Sequence, residues 1–265
     1  MTRGRGGRPP RPAGPAQPPA GSTVVPFPGR SVRRRLAVRW AVAGAVAALL
    51  GALAWVLLFS PVLAVDEVDV TGTRHVSAEA VQERLAPLHG VPLPRVGSSA
   101  VRELVGDLPG VAEVRVVAHP PTRVEVAVRE HEARARRDGE AGVDLLLDDG
   151  TVLAGVPAER VEGESLPEFS EELSAGPRRD REEVAAVLAG LPASVAERVE
   201  SVDSSRVGQV RLGLRDGVVL VWGDAEDAEL KGTVATAFLE DERHGSRPGG
   251  VREVDVSVPT RPITR

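Results

Sequence analysis

The stretch VDEVDVTGTRHVSAEAVQERL, residues 65–85, sets the organisation of the chain around it. Its first half alternates: Val68 and Val70 point one way, Glu67 and Asp69 the other. Successive strand side chains face opposite sides, so the pattern predicts a half-buried strand over 65–71. Thr71-Gly72-Thr73 predicts a turn. The period then lengthens: Val81 and Leu85 share a helical face with Leu88, and Ser77 is placed to cap that helix.

Working downstream, residues 90–97 carry Pro92 and Pro94 and read as a loop. Ser98 or Ser99 is expected to open a second helix, with Val101, Leu104, Val105 and Leu108 at i, i+3, i+4 and i+7. Pro109-Gly110 stops it. A strand is predicted over 111–118, a turn at Pro120-Pro121, and a second strand over 122–130 with Val124, Val126 and Val128 on one face. The order is β-α-α-β-β, and a small sheet covered on one face by two helices is a stable two-layer arrangement.

Working upstream, residues 40–59, WAVAGAVAALLGALAWVLLF, contain no charge. At about 1.5 Å per residue they span roughly 30 Å, the thickness of a bilayer core. A helix is the form lipid permits, because it leaves no backbone group unpaired. Nine arginines and no acid precede the run (Arg3, Arg5, Arg8, Arg11, Arg30, Arg33, Arg34, Arg35, Arg39). The remaining 24 basic residues then face all 38 acidic ones, a net of −14 beyond the membrane. The positive-inside bias predicts a cytoplasmic N-terminus and an extracytoplasmic C-terminal part. Val62-Leu63-Ala64 has the small-residue character of a cleavage site, but the apolar run and its leader are too long for a signal peptide, so a signal anchor is expected. The first 30 positions hold eight Pro and six Gly without apolar periodicity, which predicts a disordered tail over 1–35. Its arginines are of a kind that contacts nucleic acid or anionic lipid, but a basic block beside a membrane span is accounted for by topology, and no nucleic-acid partner is expected.

The segment just described resembles the POTRA module of the FtsQ/DivIB family of bacterial division proteins. That family repeats a V-x-V-x-G strand, a Leu-x-x-x-Pro-x-Val turn and a closing V-x-V-x-E strand. Val68, Val70, Gly72, Leu104, Pro109, Val111, Val126, Val128 and Glu130 stand in those places. His119-Pro120-Pro121 departs from the family's basic–aromatic–Pro pattern at the intervening hairpin.

The resemblance continues to about residue 262. LLLDDGTVL, residues 145–153, places Asp148-Asp149-Gly150 between apolar runs, a hairpin signal, and is similar to the hairpin that opens the family's second, β domain. Leu166-Pro167-Glu168-Phe169 fits its short Leu-Pro element. Asp180 and Glu183 form a capping-box pattern ahead of Val184, Val187, Leu188 and Leu191. Strands are expected over 197–202, 207–214 and 218–222, the last two joined at Asp216-Gly217. A helix follows with Leu230, Val234 and Phe238 at i, i+4 and i+8. Its Lys231, the only lysine, sits where the family pattern has one; a solvated surface lysine and a partner contact are both open readings. The last strand is expected over 251–258, with Val254, Val256 and Val258 facing in and Glu253, Asp255 and Ser257 facing out.

The fold class expected is therefore α+β: a single transmembrane helix over 36–62, a POTRA domain over 63–131, and a mixed β domain with two helices over 132–262, followed by 263–265. There is no cysteine, so disulfides, thiolate metal sites and Cys nucleophiles are excluded. One Lys against 32 Arg is a codon signature of a GC-rich bacterial genome, not a functional one.

Catalytic chemistry finds no frame here. The five histidines lie in no metal-ligand spacing, and His131 cannot share a site with Glu130 or Glu132, because adjacent strand residues face opposite ways. Ser98-Ser99 and Ser204-Ser205 lack a nucleophile-elbow setting. The Asp148-Asp149 pair is explained by turn chemistry. The expectation is no enzyme, no cofactor and no metal.

What the resemblance implies is a bitopic division scaffold at the septum. It links FtsB/DivIC-like and FtsL-like bitopic proteins and, through them, the septal peptidoglycan synthase. Strand addition at the C-terminal strand is the expected means, since a sheet edge offers unpaired N–H and C=O groups. The candidate contact residues are Val251, Arg252, Glu253, Val254, Asp255, Val256, Ser257, Val258, Pro259 and Thr260, with Lys231 beside them. Glu253 and Asp255 are read as outward charges that set partner choice, or as protection of the edge against aggregation. A membrane-anchored cell-wall hydrolase is the alternative and predicts clustered carboxylates in a cleft. A translocation-type POTRA receptor would show several POTRA copies or a barrel, and the sequence has neither pattern.

Overall fold

A computed structural model describes residues 30–59, 61–206, 209–240 and 251–265. Residues 1–29 of the tail expected over 1–35, and Val207 and Gly208 at the start of one expected strand, lie outside the described residues. The chain divides into two units, 1–54 and 55–265.

Helix α1 runs Arg30–Phe59, and its stretch Arg34–Val56 is 23 residues long and holds an 18-residue window of mean hydropathy 1.9. That is about 34 Å at 1.5 Å per residue, enough to cross a bilayer core of about 30 Å. Every side chain from 34 to 56 is exposed, and Trp40 and Trp55 are 70% and 66% exposed. The helix starts ahead of the boundary expected from composition, taking in residues 30–35. Arginine is a good helix former, so a basic block beside an apolar run extends the helix rather than breaking it.

In the second unit β1 (Glu67–Thr71), α2 (Ala78–Leu85), α3 (Ser98–Val105), β2 (Val111–His119) and β3 (Arg123–Glu130) follow in the β-α-α-β-β order. The sheet order is β1-β3-β2, with β1 parallel and β2 antiparallel to β3. Register sets Val68 beside Val124 and Val70 beside Val126. One valine face therefore meets Val81, Leu85, Val101 and Val105 of the two helices, all fully buried. Ser77 caps α2 by accepting from the Ala80 N–H at 3.2 Å. Neither Ser98 nor Ser99 caps α3; Gly97 occupies that position and both serines lie inside the helix. The 90–97 segment is tied down rather than loose: Leu93 and Val96 are buried, the Val65 N–H donates to the Val91 carbonyl at 3.0 Å, and the Gly90 N–H donates to the Val65 carbonyl at 2.9 Å.

The β domain is one nine-stranded sheet. Its strands are β4 (Ala133–Gly139), β5 (Gly142–Leu147), β6 (Val152–Val156), β7 (Glu168–Phe169), β8 (Val199–Arg206), β9 (Gln209–Leu214), β10 (Val219–Gly223), β11 (Glu253–Asp255) and β12 (Ile263–Thr264). Their order is β12-β11-β10-β9-β8-β7-β4-β5-β6. Two long helices, α6 (Arg178–Gly190) and α8 (Ala228–Glu240), are accompanied by the short helices α4 (Ala158–Val161) and α5 (Glu171–Ala175) before α6 and α7 (Ala193–Ala196) after it. Val184 and Val187 of α6 and Ala235 of α8 close over a core of Leu146, Val202, Leu212, Leu220, Trp222, Val254 and Val256. On the opposite face of β5, Val143, Leu145 and Leu147 meet Val156 and Val161.

Two local expectations are corrected, and one strand forms that the sequence pattern does not predict. Strand β4, ARARRDG, carries no large apolar side chain; Ala135 is buried and Ala133 packs beside Leu145 and Leu147, while Arg134, Arg136 and Arg137 each reach a carboxylate at 2.6 Å (Glu132, Asp138 and Asp144). The capping box at Asp180 and Glu183 does not form, because the helix begins after Pro177 and places Asp180 within its first turn. Glu183 instead accepts from the Ala225 N–H at 2.7 Å. In α8 Val234 and Phe238 pack on the core, but Leu230 is 47% exposed and its neighbours Lys231 and Gly232 are buried in its place.

Candidate partner-binding edge

The expected last strand is shorter than its sequence pattern. Only Glu253–Asp255 is extended in register, parallel to β10 with Val219 beside Glu253 and Leu220 beside Val254. The Val256 N–H continues the pairing to the Val221 carbonyl at 2.9 Å. Val254 and Val256 are buried, as the alternation requires, but Val258 is 54% exposed and lies beyond the strand. Asp255 ends it: its Oδ1 accepts from the Ser257 N–H at 3.0 Å and the Ser257 hydroxyl at 2.6 Å. Such an Asx turn diverts the chain from the sheet.

Strand β11 is not the sheet edge. Its outer side is taken by β12, antiparallel, with Val254 beside Thr264 and Asp255 beside Ile263. Glu253 and Arg265 exchange both backbone bonds, at 3.0 and 2.9 Å. In an antiparallel pair the next residue points its N–H and C=O the other way. Thr264 therefore turns its backbone groups outward, and so does Pro262, which has no N–H to offer. The expected charges are also engaged: Glu253 holds Arg211 at 2.8 Å and Arg265 at 3.5 Å. What faces solvent at this end is basic and apolar: Arg252, Val258, Thr260, Arg261, Ile263 and Arg265 are all exposed, and Val251 and Pro259 are half-exposed. Sequence reasoning missed Ile263, Thr264 and Arg265; the β-branched pair after Pro262 was the available signal.

Lys231 is 2% exposed, so it is neither a solvated surface lysine nor a contact surface for a partner. Its Nζ donates to the Asp224 carboxylate at 2.6 Å and to the Asp224 main-chain carbonyl at 3.0 Å. Reach explains the placement: the side chain folds back along α8 to the turn that precedes the helix. The Lys231 ammonium holds the Asp224 carboxyl below its usual range.

His131 does find carboxylates, across the hairpin and not beside it in sequence. Its Nδ1 lies 2.6 Å from Asp148, and its Nε2 3.9 Å from Asp149. Asp149 is already committed to the Thr151 N–H at 2.9 Å, the Thr151 hydroxyl at 2.7 Å and Arg178 at 3.3 Å. Burial pushes its carboxyl up, but the two Thr151 bonds with His131 and Arg178 outweigh it and the net shift is down. Glu130, beside His131 in sequence, points elsewhere. Its carboxylate accepts from the N–H groups of Arg74, His75 and Val76 at 2.7, 2.9 and 2.9 Å.

This combination is that of a FtsQ-type POTRA protein: a span-length apolar helix, a β-α-α-β-β module and a nine-stranded β domain. Residues 63–131 match the profile "POTRA domain, FtsQ-type", and residues 133–257 match "Cell division protein FtsQ/DivIB, C-terminal". The chain is 30% identical over 250 residues to the cell division protein FtsQ of Streptomyces collinus, covering 90% of this chain and 92% of that one. It is 32% identical over 231 residues to that of Streptomyces bingchenggensis, 83% of each. It is 29% identical over 239 residues to that of Mycolicibacterium smegmatis, 90% of this chain and 67% of the relative. The chain belongs to the FtsQ/DivIB family of cell division proteins.

Proposed function

We propose that this chain is a single-pass, type II scaffold of the division septum. Its arginine-rich N-terminus is cytoplasmic, and its POTRA and β domains lie outside the membrane. It links FtsB/DivIC-like and FtsL-like bitopic proteins, and through them the septal peptidoglycan synthase. The charge asymmetry across α1 supports the orientation. The observation that carries the binding reading is the end of the nine-stranded sheet, a two-residue strand whose Ile263 is exposed, with exposed Val258 on the approach.

A short edge strand carrying Pro262 resists indiscriminate pairing. Thr264 offers one N–H and one C=O, so backbone pairing alone supplies little affinity. The rest must come from Val258 and Ile263 under an apolar partner side chain and from Arg252 and Arg261 facing acidic ones. This differs from the acidic contact expected from Glu253 and Asp255.

The test uses the full chain in lipid nanodiscs, with the purified extracytoplasmic segments of the FtsB-like and FtsL-like proteins of the same cell. Thr264→Pro deletes the outward N–H while leaving the 253–265 pairing intact. Ile263→Glu places a charge on the apolar contact. Ile263→Glu is expected to weaken binding at least tenfold and Thr264→Pro a few-fold, the worth of one hydrogen bond, both with unchanged circular dichroism. Equal binding by both variants would move the site elsewhere, and no binding by the unaltered chain would remove the scaffold reading itself.

A further inference from the structure

The end of β10 is an elbow, Gly223-Asp224, from which α8 departs. Gly223 has φ +82°, and a Cβ there would stand 2.9 Å from the Ser257 Cβ and 3.9 Å from the Lys231 Nζ. The elbow therefore sits directly against the segment in which β11 turns out of the sheet. Lys231 lies beneath it and donates to the Asp224 carbonyl at 3.0 Å, and that bond holds the main chain of the elbow rather than only its side chain. Val256, fully buried, and Ser257 are the last residues before the mostly exposed run 258–262 that leads to β12.

Few proteins bury a lysine without a use for it. Lys231 and Asp144 are the buried charged side chains among the described residues, and a methionine or leucine would fill the Lys231 site at lower desolvation cost. We infer that Lys231 is a positioning residue for the partner-binding edge: through the Asp224 carbonyl it fixes the elbow against which Ser257 packs, and so sets where β12 is presented. This rests on the scaffold reading above and adds a residue that touches no partner.

Two bonds leave the ammonium, and they predict different things. The bond to the Asp224 carboxylate, whose side chain is 48% exposed, balances charge; the bond to the Asp224 carbonyl places the backbone. Lys231→Met loses both. Asp224→Asn removes the carboxylate charge and keeps the donor to the carbonyl. A purely structural lysine would make both variants lose thermal stability and nothing else. A positioning lysine separates them.

The experiment measures binding of full-length chain in nanodiscs to the same two extracytoplasmic segments. It is read beside peptide-resolved hydrogen exchange of residues 251–265 and, as an internal control, of β5. Lys231→Met is expected to weaken binding at least tenfold and to speed exchange at 251–265 several-fold while β5 stays protected. Asp224→Asn is expected to bind within about threefold of the unaltered chain even where its melting temperature falls. Gly223→Ala, which pushes on Ser257 from the same side, is expected to copy Lys231→Met and decides the matter if that variant does not fold. Unchanged binding and exchange in Lys231→Met, or in Gly223→Ala if that is the variant available, overturns the inference and leaves the scaffold reading standing. If the unaltered chain binds neither segment, the scaffold reading falls, and the exchange of 251–265 alone decides: loosening confined to that segment supports the role of Lys231, and no loosening overturns it.

Discussion

Replacing Glu130 by alanine tests how the POTRA module is closed. Glu130 ends β3, and its carboxylate is hydrogen-bonded to three consecutive N–H groups of the turn after β1: Arg74 and Val76 on Oε1, His75 on Oε2. The His75 ring also approaches Oε2 at 3.3 Å and Glu164 of the β domain at 3.1 Å, so the same carboxylate steadies the seam between the domains. The Arg74 N–H is at an exposed site and re-bonds to water when the carboxylate goes. The two part-buried donors do not, and each costs about 1–3 kcal/mol unpaired. Glu130→Ala should therefore destabilise by about 2–6 kcal/mol. For a folded unit of this size that lowers the melting temperature by about 5–20 °C. Glu130→Gln can keep Oε1 as its carbonyl and so serve Arg74 and Val76, turning its amide against His75; it should cost about half as much. Far-ultraviolet circular dichroism during thermal unfolding reads both. A drop below about 2 °C for Glu130→Ala, or an equal drop for both variants, would refute the account.

Gly72→Ala should cost at least about 2 kcal/mol, because φ is +83° and the new Cβ would meet the Val128 carbonyl of the neighbouring strand; chemical denaturation measures it. The pH dependence of Asp224 has a definite sign. Its carboxyl is held below the usual range in the fold, so its contribution is complete above the unfolded pKa of about 3.9 and lost as pH falls through the lower folded value. The melting-temperature gap between the unaltered chain and Asp224→Asn should thus be flat above about pH 5 and close below about pH 4. A gap that grows on acidification would contradict the ion-pair geometry.

Much of this molecule was legible because local period and burial agree. Val68 and Val70 alternate with Glu67 and Asp69, and the strand they predict has one helix-covered face. Ser77 caps as its chemistry demands. Asp148-Asp149-Gly150 and Asp216-Gly217 turn where Gly150 and Gly217 take positive φ. Residues 40–59 needed no tertiary context, because a charge-free run of that length has one solvent it suits.

Other features depend on which element lies alongside, and no local pattern carries that. Strand β4 is a strand because β5 and β7 flank it; its own residues argue against it. The run 251–258 alternates throughout, yet the Asx turn at Asp255 and the pairing of β11 with β12 end it early and remove it from the edge. Lys231 reads as a surface residue by type and is buried by place, because a flexible four-carbon stem lets its ammonium reach the one carbonyl and carboxylate that offset desolvation. Alternation, capping and turn chemistry act over a few residues and are written in order along the chain. Edge, interior and ion pairing are set by contacts between residues far apart in sequence, and only the folded sheet decides them.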